Sequence, residues 1–224
     1  MSKRTLWVWI ESITVGVNGD VPGQQAPAGG VLQNAILATL TYPRSGAPTV
    51  TSGQQYNLAN NAAFQPDQAN FFACGLFKEV VQDETLLQLK ITDTDKASKA
   101  EKIFLAVLGA LVNAALTAAT GGLSGFFGAI AGAGVSQVQT GMAKLGDDEV
   151  YVIGATDTVR IEVDQLPADK NNPLRMTLGL TVPDDIRKPY LVLDENHQPV
   201  TRYLSLDKGA PNGAITLRVA AIPD

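Results

Sequence analysis

Between Lys102 and Lys144 the chain carries no charged residue. A helical segment of that length has no polar face to offer water, so it must be packed against protein or placed in lipid. Ala, Leu and Gly dominate it, and the alternation of β-branched residues that marks strands is weak there. Just before it, Ser98 and Glu101 have the spacing of a capping box: the hydroxyl accepts from the backbone N–H three residues on, and the carboxylate reaches back. The pattern predicts a first helix from there to about Ala119, a stop at Thr120, Gly121 and Gly122, and a second helix from near Ser124 to about Lys144, closed by Gly146. The expected element is a helical hairpin over residues 96–146.

The two arms differ. Phe104, Leu105, Leu108, Leu111, Val112 and Leu116 surround most of the first. Phe126, Phe127, Ile130, Val135 and Val138 sit among glycines in the second, where Gly128 and Gly132 give a small-xxx-small spacing that lets helices approach closely. As a helix the first arm would span roughly 27 Å at about 1.5 Å per residue, marginal against a hydrocarbon core of about 30 Å. Three readings stay open: a hairpin packed on the rest of the chain, a hairpin that inserts in a membrane, and an oligomer contact.

Strand patterns lie on both sides of this segment. Leu6, Val8 and Ile10 alternate with Trp7, Trp9 and Glu11, and the run continues through Ile13 and Val15. Residues 36–42 and 70–81 read as strands. Residues 86–92 alternate cleanly, with Leu87, Leu89 and Ile91 on one side and Leu86, Gln88 and Lys90 on the other. After Gly146, strands are predicted over residues 150–153, 159–163, 175–182, 190–193, 200–206 and 215–221. Asn196, His197, Gln198 and Pro199 read as a turn, and Asp184 to Lys188 as an exposed one. With strands flanking the insertion, a single β domain over residues 1–224 is simpler than separate β and α domains.

Composition narrows the function. Charged residues make up 17 % of the 224, below the roughly 25 % of an average soluble protein, so much of the chain is buried or some apolar surface is used. The net charge of −5 comes without a basic cluster, which argues against a nucleic-acid partner. The single cysteine, Cys74, excludes an intramolecular disulfide and reads as a small buried residue. His197 is the only histidine, so a Cys–His nucleophilic pair is not expected, and no nucleophile elbow, phosphate loop or His-Glu-x-x-His motif is present. The reading is of a non-enzyme. No apolar run follows the basic residues near the start, so the expected location is cytoplasmic, or exported without a cleaved signal.

Three segments resemble C2 domains. Leu6-Trp7-Val8-Trp9-Ile10-Glu11 looks like the family's first strand. Leu87-Gln88-Leu89-Lys90-Ile91-Thr92-Asp93-Thr94-Asp95 resembles the strand that runs into its Asp-x-Asp calcium loop. Asn212-Gly213-Ala214-Ile215-Thr216-Leu217-Arg218-Val219 resembles its closing strand, and residues 61–66 give a fainter echo. The resemblance implies a mainly β fold: an antiparallel C2-like β-sandwich, here with an inserted α-helical hairpin. It also implies calcium as a cofactor. Asp93 and Asp95 would supply carboxylates, with Asp20 from the first loop. The later acid would come from Glu101 or from the pair Asp147 and Asp148; Glu101 has the competing role in the cap, which favours Asp147. Calcium takes six to eight oxygen ligands, and two acids two residues apart at a strand end point to one side. The alternative is that Asp93 and Asp95 end a strand and cap a helix.

Two functions follow as expectations. In the first, the chain binds a phospholipid membrane, with calcium as a candidate helper, and the hairpin enters or perturbs the bilayer through Phe104, Leu108, Phe126 and Phe127, in the manner of a membrane-damaging protein. In the second, it is a structural module whose hairpin packs on the sandwich or joins copies into a homo-oligomer.

Overall fold

The alternation of the first strand carries through the computed structural model, which describes residues 3–21, 34–42, 50–82, 84–94 and 150–223. In β1 (Arg4–Val15), Leu6, Val8 and Ile10 are buried, and so are Ile13 and Val15. A strict period of two would turn Ile13 outward. A register shift between Ile10 and Ser12 inserts one residue, Glu11, and resets the phase.

The other strands are β2 (Asn34–Thr41), β3 (Val50–Tyr56), β4 (Ala63–Phe64), β5 (Gly75–Val81), β6 (Thr85–Thr94), β7 (Val150–Ala155), β8 (Val159–Ile161), β9 (Leu174–Thr181), β10 (Ile186–Leu193), β11 (Pro199–Leu206) and β12 (Pro211–Pro223). Every pairing between strands is antiparallel. Among the described residues ten strands form one curled sheet in the order β3-β2-β6-β7-β9-β12-β1-β4, with β5 also on β1 and β8 also on β6. The sheet divides naturally at β7 and β9, which share a single pair, Ala155 with Thr181. On one side lie β3, β2, β6 and the tandem β7 and β8; on the other lie β9, β12, β1 and the tandem β5 and β4. Ile36, Leu40, Leu89 and Ile153 from the first half and Leu6, Ile10, Leu217 and Val219 from the second belong to one buried cluster. The architecture is therefore mainly β, antiparallel and sandwich-like.

Two readings are corrected. Residues 70–81 are not one strand: Asn70 accepts from the Phe72 amide and caps a short helix, α1 (Phe71–Cys74), before β5 begins. Cys74 is buried as expected, at the end of that helix rather than within a strand. The segment around Lys188 is not an exposed turn but the start of β10. The predicted hairpin over residues 96–146 lies outside the described residues.

Candidate functional site

In β6 the inward positions are Leu87, Leu89 and Ile91, and the same period puts Asp93 next on that side. Its carboxyl is carried to the end of the core, fully buried, where a charge needs a partner. β10 supplies one. Lys188 shares the inward side of its strand with Ile186, and its Nζ donates to Asp93 Oδ2 at 2.8 Å and to the Gly19 carbonyl at 2.6 Å. The ring of Tyr151, which pairs with Asp93 across β6 and β7, lies 4.8 Å from the same ammonium.

The loop after β1 is fitted to this pair. Gly19 has φ of 98°, and a Cβ there would stand 2.4 Å from the Asp93 carboxyl. Only glycine combines that backbone with that approach. Asparagines hold the loop in place. Asn212 accepts from the Val17 amide at 2.8 Å and donates to the carbonyls of Val17 and Ile153. Asn18 donates to the Leu58 carbonyl, and Asn34 donates to the Asn18 carbonyl at 3.0 Å. Asp20 accepts from Asn18 Nδ2 at 2.7 Å, while its own amide donates back to Asn18 Oδ1.

Of the four acids expected to hold calcium, the structure brings Asp20 and Asp93 to one loop end, on either side of Gly19. Asp95 and Asp147 lie outside the described residues. At the described pair the Lys188 ammonium already supplies positive charge to Asp93, and Asp20 accepts from an amide donor of its own loop. Among the described residues no group of three or more His, Cys, Asp or Glu is placed to hold a metal.

The same end carries the roots of the uncharged segment. Thr94 pairs with Val150, so residues 95–149 leave and rejoin the sheet at neighbouring strand ends, beside Asp93 and Tyr151. Phe104, Leu108, Phe126 and Phe127 fall within that segment, outside the described residues. Among the described residues no helix is long and apolar enough to cross a membrane.

Sequence reasoning missed a second feature here. Among the described residues β10 and β11 pair only with each other. Their register sets Pro189 opposite Tyr203, Leu191 opposite Thr201 and Leu193 opposite Pro199, so these six share one face. Leu191, Leu193 and Tyr203 are 71, 65 and 60 % exposed, and no charged residue interrupts the face over that span. The turn beyond it, with His197 at φ of 58°, is exposed and polar. Lys188, near the base of the ribbon, ties it to Asp93. Both features had a trace in the sequence. Ile186 and Lys188 keep the spacing of one strand face, as do Leu191 and Leu193, but Pro183, Asp184 and Asp185 beside charged Arg187 and Lys188 read as an exposed turn.

Searches against protein-family models and against curated proteins find no match for this chain.

Proposed function

We propose that this chain is a non-enzymatic, C2-like module that docks on a phospholipid surface with the end of the sheet formed by Asp93, Lys188 and the β10–β11 ribbon. The observation that carries this reading is the uncharged face of Pro189, Leu191, Leu193, Pro199 and Tyr203, rising from the end where residues 95–149 leave and rejoin the sheet. Leaving such side chains in water forgoes about 1.5–3 kcal/mol for each large one, and a contiguous apolar face on a protruding element marks an interaction surface. The uncharged stretch between Lys102 and Lys144 falls in sequence between Thr94 and Val150, which pair at that end, and has the same chemical preference. The division of the sheet into two halves with one shared core supports the C2-like reading. Lys188 makes the docking independent of calcium at Asp93, because the loop end has its own cation.

Liposome flotation tests this reading, run with calcium and with chelator. Wild-type chain floats equally in both, and Leu191→Asp with Leu193→Asp reduces flotation, as does Phe126→Asp with Phe127→Asp. The reading fails if no condition gives flotation. A concentration-dependent oligomer in light scattering, lost in the Leu191 and Leu193 variant, would then assign the face to self-assembly.

A further inference from the structure

The two halves of the sheet meet again at their outer strands. β3 and β5 each pair on one side only among the described residues, and their free edges face each other across the fold. At one end side chains close this seam: Gln54 Nε2 donates to the carbonyls of Phe72 and Gly75, and the Tyr56 hydroxyl donates to the Ala73 carbonyl at 2.7 Å. Around the Gln54 contacts, among the described residues, the seam forms a groove of ≈ 560 Å³, walled mainly by Trp7, Val50, Phe71, Phe72, Leu76 and Phe77. That volume is the size of a small-molecule site, and such sites combine apolar walls with a few placed polar groups. The Phe72 ring at the rim is 91 % exposed.

The placed polar group is Glu79. It stands opposite Leu6 across β1 and β5, on the inward side it shares with Phe77, and it reaches the groove. No ion pair or hydrogen bond holds it among the described residues. Lys78 also lines the groove, but from the opposite side of β5, and its ammonium and that of Lys170 lie over the Trp7 ring, 4.6 and 4.4 Å from its centre. Desolvation pushes the Glu79 carboxyl up to about 7, as befits an acid in an apolar wall without a counter-charge. Thr51, another residue of the wall, has a buried hydroxyl without a hydrogen-bond partner. A groove with mainly apolar walls, a carboxylate on its inward side and its lysine turned to the Trp7 ring is complementary to a molecule with an apolar body and a single cationic head.

We propose that the groove between β3 and β5 is a binding site for a small amine, its apolar or aromatic body lying against Phe72 and Phe77 and its protonated nitrogen pairing with Glu79. This site is separate from the lipid-docking end and stands or falls without it. The test uses octylammonium and 1-octanol, which share a chain and differ in the head, titrated at pH 8 into the full-length protein. Calorimetry measures affinity, and tryptophan emission reports occupancy, since Trp7 lines the groove. Octylammonium is expected to bind at least tenfold more tightly than octanol, with Glu79→Gln reducing the ratio to near one and leaving the circular dichroism spectrum unchanged. Ser52→Tyr, which fills the groove from β3, is expected to block both ligands. Equal affinity of the two probes for the wild-type chain, or no saturable binding of octylammonium, overturns the assignment without recourse to any variant.

Discussion

Lys188 Nζ lies 2.8 Å from Asp93 Oδ2, with 4 and 1 % of the two side chains exposed. Removing one partner from such a pair costs far more than the pair contributes, because the remaining charge is left buried. Lys188→Met should therefore destabilise the chain by about 3–5 kcal/mol in urea unfolding. Adding Asp93→Asn to that variant should recover at least half of the loss, because the neutral amide no longer needs the ammonium. A double variant no more stable than Lys188→Met would show that Lys188 acts through packing alone.

The same geometry predicts how the chain responds to calcium. With the ammonium in place, millimolar calcium should leave the melting temperature unchanged. In Lys188→Met the carboxylate of Asp93, the carbonyl of Gly19 and the nearby Asp20 lose their internal cation, and calcium should then raise the melting temperature. Differential scanning calorimetry of both proteins with calcium and with chelator decides it. A calcium-induced rise in the wild-type chain would mean that other acids hold the ion.

Gly19 and Gly179 form a contrasting pair. Gly19→Ala forces a Cβ to 2.4 Å from the Asp93 carboxyl at a φ of 98° and should cost about 1–3 kcal/mol or more. Gly179, in β9, has nothing within 4 Å of a Cβ and an ordinary φ, so Gly179→Ala should be neutral or stabilise by up to about 1 kcal/mol through the unfolded chain. Urea midpoints of the two variants measured side by side check the argument.

The exposed face of the β10–β11 ribbon should separate stability from binding. Leu191→Ser with Leu193→Ser touches no core contact and should shift unfolding by no more than about 0.5 kcal/mol per site, while flotation on phospholipid vesicles falls. A large loss of stability would mean that the face is covered in the isolated chain.

The sequence was most legible where one physical rule acted alone. Leu87, Leu89 and Ile91 in β6 alternate without interruption, and the structure buries all three. In β1 the pattern Leu6, Val8, Ile10, then Ile13 and Val15, contains its own irregularity, and the bulge at Glu11 is the reason; that carboxylate is turned to Arg175 and Arg218, whose guanidiniums hold it below the usual range. Legibility failed where rules competed. Phe71 and Phe72 carry strand propensity, yet Asn70 caps a turn of helix there. Asp93 carries a charge, which suggested a metal ligand or a strand end that caps a helix, yet its position in the alternation already fixed it inward. Its partner Lys188 is 95 residues away in sequence, and no local pattern reports a pairing at that distance. The seam between β3 and β5 depends on how the whole sheet curls, which no single segment encodes.

Glu79 gives the stability of the chain a pH dependence of unusual sign. Most native carboxylates are stabilised as anions, so their proteins gain stability as pH rises through the acid range. Desolvation instead raises the Glu79 carboxyl from 4.5 to about 7. Between those values the folded chain holds a proton that the unfolded chain has lost. Stability from this group is fully present below the lower value and is lost as pH rises through the upper one, by on the order of 3 kcal/mol. The neighbouring groups do not reverse the sign. Tyr42 follows β2, and burial, then the Glu79 charge, raise its own hydroxyl, so it stays neutral throughout. Arg4, on the same side of β1, is turned toward Asp164 at 3.9 Å, and Lys78 lies on the opposite side of β5 over Trp7. β3 contributes Val50, Ser52, Gln54 and Tyr56 on its inward side, and burial raises the Tyr56 hydroxyl, so it too stays neutral. Glu79→Gln should therefore flatten the loss between pH 5 and 8 and make the variant more stable than the wild type at pH 8. Urea unfolding of both proteins across that range is the measurement, and parallel curves would show that Glu79 is ionised and solvated in the folded chain.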